Sequence, residues 1–159
     1  MSAAFDLDFT ELWKKIDATK SAIRRDLALA VRRSCDQGVR VAKRGTFKDR
    51  TGQLRATITT HVLGWRGNTF WMQIHAPMPY AHFVDVGTKP HDIPLEHRPP
   101  GKPLHFFWEK RGVWFTGYHV RHPGTKANRF FETAIDATRL KLAGELMRGE
   151  FSNIRSVWS

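Results

Sequence analysis

Residues Tyr80–His91 read YAHFVDVGTKPH, and His122–Phe131 echo them with HPGTKANRFF. In the first stretch Tyr80, Phe83 and Val84 fall at i, i+3 and i+4. That spacing gives one face of a short amphipathic helix, predicted to plug one end of a core. Gly87 follows at once, where a positive φ commonly ends a helix, and Pro90 keeps the helix from resuming. The echo runs the other way. Pro123 and Gly124 make a bend, Asn128 suits an N-cap, and Phe130 and Phe131 open a helix that packs inward. A Pro-rich excursion and a hairpin lie between these two punctuation marks, and the other helices and strands are predicted to wrap around them.

Upstream, Asp8 and Glu11 have the D-x-x-E form of a capping box, so a helix is expected to begin there. Phe9, Leu12, Trp13, Ile16, Ile23, Leu27, Val31, Cys35, Val39 and Ala42 recur at steps of three, four or seven, one apolar stripe with most bases off it. So long a helix in so short a chain must outrun its own core or bend, with Gly38 as the candidate bend. Outrunning the core leaves apolar surface for a neighbour; the other reading lays the helix across its own sheet. Residues 45–52 read as a loop. Gln53–Val62 and Thr69–Ala76 alternate around a turn at Trp65–Asn68 and predict a β-hairpin.

Residues 88–103, TKPHDIPLEHRPPGKP, hold five prolines and little apolar content. They predict a long stiffened loop, suited to an arm onto another subunit or to a surface meander on its own domain. Leu104–Lys110 and Val113–Val120 give a second hairpin around Arg111 and Gly112. Its aromatics lie on both faces, as in a sheet covered on both sides. A final helix runs from Arg129 to Arg148 with its stripe at Phe131, Ile135, Thr138, Leu142 and Leu146. The expected fold is α+β: a long N-terminal helix and a C-terminal helix packed on a small, mainly antiparallel sheet of two hairpins, with a long Pro-rich loop. It is read as a single domain over 1–159, with 1–7 and 149–159 flexible or peripheral.

Composition narrows the function. An apolar share of 41% with 19 aromatics argues for a folded chain. Cys35 is the single cysteine and reads as a small core residue, not a reactive thiol. No run of about 18 apolar residues is present, so no membrane span is expected. The start, MSAAFDLDF, carries acids where a signal peptide carries bases, so export is not expected. The net charge of +11 and pI near 10.4 invite a nucleic-acid reading. The distribution weakens it: residues 1–55 hold 13 Lys/Arg against 7 Asp/Glu, and residues 56–159 hold 13 against 8, with no basic tail. Basic residues mixed with acids suit protein partners as well as DNA.

Chemistry-bearing motifs are missing from the sequence. His82 with Asp85, and His91 with Asp92 and His97, lack the spacing of a metal site, and there is no H-E-x-x-H. His122, before Pro123, is expected to hydrogen-bond the bend. There is no G-x-S-x-G, Walker loop or dinucleotide fingerprint. No catalytic residue, metal or cofactor is expected. Arg24-Arg25 and Arg32-Arg33 lie eight apart, close to one face of the long helix, and a basic nucleic-acid-binding module stands as the second reading.

Three segments carry a resemblance: Arg50-Thr51-Gly52-Gln53-Leu54-Arg55; Tyr80-Ala81 with Phe83-Val84-Asp85-Val86-Gly87-Thr88; and His122-Pro123-Gly124-Thr125-Lys126-Ala127-Asn128 with Phe130-Phe131. In this order they resemble the tail-component family of long-tailed phages, the head–tail joining, tail-terminator or tail-completion proteins of siphophages, prophages and gene transfer agents. Asp85 stands where that family usually has Glu. The resemblance spans residues 8–148 and implies a non-enzymatic virion protein, assembled in the bacterial cytoplasm as a ring, commonly a hexamer. It further implies a tail tube protein and a head-completion or connector protein as partners, with double-stranded DNA passing transiently through the lumen. On this reading Gly52, Tyr80, Phe83, Gly87, Pro123, Gly124, Asn128 and Phe131 determine the fold. The long helix and the loop supply the subunit interface, through Trp13, Ile16, His91, Ile93, Pro94, Leu95, Pro99 and Pro100.

Overall fold

Thr10–Lys43 form one unbroken helix of 34 residues, α1, in the computed structural model, which describes residues 8–49, 51–93, 101–109, 111–149 and 151–159. Asp8 supplies half of the expected box. Its Oδ1 accepts from the Thr10 N–H and hydroxyl, whereas Glu11 turns forward to Lys14. The Thr10 hydroxyl, with the Thr10 N–H, holds the Asp8 carboxyl below the ordinary carboxylate range.

The chain falls into two compact units, one made of the described residues up to Met78 with Phe130–Ser159, the other of Pro79–Arg129. In the first, α1 is followed by α2 (Gln53–Thr57), a hairpin of β1 (Thr59–Arg66) and β2 (Thr69–His75), and later α4 (Phe130–Arg148) and α5 (Ser152–Trp158). The second holds α3 (Ala81–Val86), β3 (His91–Asp92), β4 (Leu104–Trp108), β5 (Val113–Gly117) and β6 (Arg121–His122). The architecture is α+β, as expected. Among the described residues the strands pair two by two, β1 with β2 in the first unit and β3 with β6 and β4 with β5 in the second, each pair antiparallel. No helix among the described residues is long and apolar enough to cross a membrane.

Of the predicted stripe on α1 the structure buries the small members, Cys35 and Ala42, and not the large side chains. The buried face is Ala22, Asp26, Ala30, Ser34, Gly38 and Ala42, one residue in every four, with Cys35 beside them. Small residues win because α4 lies close against them: a Cβ at Gly38 would run into Thr138 Oγ1 and lie 2.7 Å from the Ala134 carbonyl oxygen. Gly38 is therefore a site of close approach, within a helix that runs on without a break. Leu27, Val31 and Val39 flank the contact half-buried, and Ile23 stays exposed. Burial pushes the Cys35 thiol above its ordinary pKa, with the neighbouring Asp36 adding to the effect, so the thiolate is disfavoured as expected.

On α4 the buried residues are Phe130, Ala134 and Glu145, one step off the predicted stripe. Ile135 and Leu146 are exposed and Phe131 and Leu142 half-buried. Buried Glu145 is paired with Lys141 at 3.2 Å. The segment after α4, expected at the periphery, includes α5, which docks on α1. Asp26 accepts hydrogen bonds from the Asn153 and Ile154 backbone N–H groups and from Asn153 Nδ2.

Residues 53–57 were expected in a strand and form α2 instead. Leu54 and Ile58, both fully buried, share a face at a separation of four whether the backbone is helix or strand, so the pattern could not decide. Within the second unit, the plug predicted from Tyr80 and Phe83 is also corrected. Phe83 is 56% exposed and Tyr80 is exposed, while the side chain that α3 buries is Ala81. The predicted faces of the β4–β5 hairpin hold. Leu104, Phe106 and Trp108 share one side with Phe115, and His105, Phe107 and Trp114 share the other. The second side is open, with Trp114 66% exposed.

Candidate assembly surface

The three motif segments act as fasteners. In the first, Arg55 reaches back into the loop after α1. Its guanidinium donates to the carbonyl oxygens of Lys43, Gly45 (2.7 Å) and Phe47 (2.8 Å) and lies over the Phe47 ring, while its own N–H donates to Asp49. Phe47 in turn packs against Phe130 with ring centroids 5.1 Å apart. Gly52, with φ 71°, stands in the left-handed region just before α2.

The second and third motifs close on each other. Thr88 N–H donates to Thr125 O, and Thr125 N–H donates to Thr88 O, each at 3.0 Å. Their hydroxyls meet at 3.1 Å. Gly87 (φ 74°) and Gly124 (φ 84°) flank this clasp, and each packs where a Cβ would strike the opposite backbone: at Gly87 the Thr125 carbonyl oxygen, at Gly124 that of Thr88. Only glycine meets both demands, a positive φ and no side chain. Asn128 N–H and Arg129 N–H then donate to Val84 O and Asp85 O at the end of α3. Arg129, in the left-handed region, directly precedes α4, so the cap position falls on Arg129, one residue after the predicted Asn128. His122 bonds the bend as expected, its Nδ1 accepting from Gly124 N–H at 3.0 Å.

These geometries consume polar groups inside the chain and leave none of them poised over a cleft. His91 and His122 are cross-strand neighbours, but the Nδ1 of each is engaged, by Lys89 O and Gly124 N–H. Among the described residues no group of three His, Cys, Asp or Glu is placed to hold a metal ion. Of the predicted arginine ridge, Arg24 is spent locally: it donates to Gly67 O at 2.6 Å and lies 4.9 Å from the Trp65 ring centroid.

The start of α1 carries uncovered apolar side chains. No described residue from 8 to 21 is buried, and Phe9, Leu12 and Trp13 are exposed, Trp13 by 63%. Of the predicted interface residues, Trp13 and His91 are exposed and Ile16 and Ile93 half-buried; Pro94, Leu95, Pro99 and Pro100 lie outside the described residues. Sequence reading passed over Asp26 and the fourfold spacing of small residues on α1. An acid recurring in register with Ala22, Ala30 and Ser34 was the available signal for a buried, hydrogen-bonded carboxylate. No protein-family model, curated protein or solved structure matches this chain.

Proposed function

We propose that this chain is a structural subunit of a phage or phage-like particle, forming a ring at the neck that completes the tail and joins it to the head connector. The tail tube protein and a head-completion or connector protein would be its neighbours, with double-stranded DNA passing through the lumen. The observation that carries this reading is the bare start of α1. The first three turns of α1 contain no fully buried residue, yet Phe9, Leu12 and Trp13 stand exposed there beside a half-buried Ile16, apolar surface that the described residues leave uncovered. The motif residues support it too, because Arg55, Thr88 and Thr125 are engaged in holding backbone and not in presenting reactive groups.

A ring subunit makes head-to-tail contacts through two different faces. Size-exclusion chromatography with light scattering on the full chain tests this. The expected species is a closed oligomer of fixed stoichiometry, six-fold by resemblance. A monomer at every concentration up to about 100 μM, weaker than any specific interface of standard size, would overturn it.

A further inference from the structure

We propose that duplex DNA lies along the outward face of α1 between Arg25 and Lys43, its phosphates taken by the basic side chains of that face. The inference deepens the ring reading above by assigning which surface meets the DNA, and the contact can be measured in any oligomeric state.

The face follows from the helix itself. In this part of α1 the buried line is Ala30, Ser34, Gly38 and Ala42. At about 100° per residue, the positions opposite that line are Arg25, Leu29, Arg32, Asp36, Arg40 and Lys43. α4 packs on the buried line at Gly38. α5 takes another side, where it bonds Asp26 and its Trp158 donates to the Thr19 hydroxyl at 3.0 Å. The opposite side stays open: Lys43 is half-buried and the other five are exposed.

The charge of that face is one-sided. Four of the six residues are bases and one is an acid, and Arg44 follows directly. The acid, Asp36, accepts from the Thr60 hydroxyl at 3.3 Å. Arg40 donates to the Gln37 amide oxygen, a neutral partner that leaves its charge uncompensated. Among the described residues Arg25 and Arg32 pair with no acid. The start of the helix is the contrast, with Lys14 and Lys20 paired to Glu11 and Asp17. The helix dipole favours bases in a last turn and so accounts for Arg40, Lys43 and Arg44. It does not account for Arg25 and Arg32, more than two turns from the end.

The composition of the face selects the partner. Leu29 is its only apolar side chain, whereas a protein interface is built on a buried apolar centre. Guanidinium groups bind phosphate oxygens without one. From Arg25 to Lys43 the helix rises about 27 Å, the rise of about eight base pairs.

Fluorescence anisotropy of the full chain on a duplex of about 12 base pairs, from about 50 to 200 mM salt, tests the contact. Arg25→Gln with Arg32→Gln removes the two charges that the dipole leaves unexplained. Lys89→Gln with Lys126→Gln removes the same charge from exposed positions of the other unit. Each lost phosphate contact flattens the slope of log affinity against log salt by about 0.9, so the arginine pair should flatten it by about 1.8. A flattening of at least about 1, and at least twice that of the lysine pair, is the expected result. Anything smaller would overturn the proposal, as would a wild-type chain with no measurable binding at the lowest salt. Arg25→Lys with Arg32→Lys should keep the slope, and an unchanged melting temperature checks that each variant is folded. Light scattering on the same samples separates this contact from the ring. A monomer whose slope follows Arg25 and Arg32 would sink the ring reading and keep the contact; a closed oligomer indifferent to them would do the reverse.

Discussion

Gly124 shows how little freedom a single position in this chain has. Its φ of 84° is unfavourable for any residue with a Cβ, and that Cβ would enter the Thr88 carbonyl oxygen. Gly124→Ala should cost roughly 2–4 kcal/mol, from the left-handed conformation and backbone overlap together. Hydrogen exchange would read the loss at the Thr88 and Thr125 amides, which now donate to each other's carbonyl oxygens. Unchanged exchange there would mean that the clasp does not hold the Pro79–Arg129 unit together. The two glycines were legible in the sequence because turn chemistry is local: Gly87 after a helical run and Gly124 after a proline each demand a special backbone. Their mutual contact was not legible, since nothing local records which turn meets which. Tyr80 and Phe83 failed for the complementary reason. Spacing places side chains on a common face, but it cannot say that the face is covered, and here the small Ala81 is the buried one.

Among the elements, α5 is the clearest case of structure supplied from a distance. Its N-cap residue, Phe151, has no side chain able to bond the first turn. Asp26 of α1 does so instead, accepting from the second and third N–H groups of the helix at 3.3 and 3.1 Å. Capping is ordinarily done by the residue next door, and a carboxylate near a helix start is also favoured by the helix dipole. Asp26→Ala would leave those part-buried N–H groups without their acceptor, a cost of about 1–2 kcal/mol. Exchange of amides 152–158 should rise at least about tenfold, while α1 amides near Gly38 stay protected. Equal protection of α5 in the variant would show that Trp158 and its Thr19 contact suffice without the carboxylate. Sequence reading found three of the five helices, α1, α3 and α4, and the two hairpins, because 3.6- and 2-residue periods are robust over such lengths. It set the face of α4 one residue off and, on α1, expected the large residues of the right side to be the buried ones, because it weighted bulk. Close helix packing here selects Ala, Ser and Gly in register, and the large residues beside them are left half-covered or bare.

For the whole molecule the decisive question is what a net charge of +11 is for. Several basic side chains already have intrachain partners. Arg24 holds the β1–β2 turn, Arg55 the loop after α1, and Lys14, Lys20, Lys141 and Arg139 lie beside acids. The mixture seen in the sequence thus persists in three dimensions as short-range pairing, which lowers the field any polyanion would meet. Duplex DNA should bind weakly, in the non-specific range of about 1–100 μM near physiological salt, with affinity falling steeply as salt rises and no dependence on base sequence. Fluorescence anisotropy on two unrelated duplexes from 50 to 200 mM salt reads this directly. A DNA affinity tighter than about 10 nM at the upper salt, with one duplex preferred, would replace the ring subunit by a DNA-binding module as the primary function. Weak binding is also what a conduit requires. Each retained phosphate contact would strengthen the hold on DNA, and a lumen that gripped its cargo would oppose the passage that the proposed ring function requires.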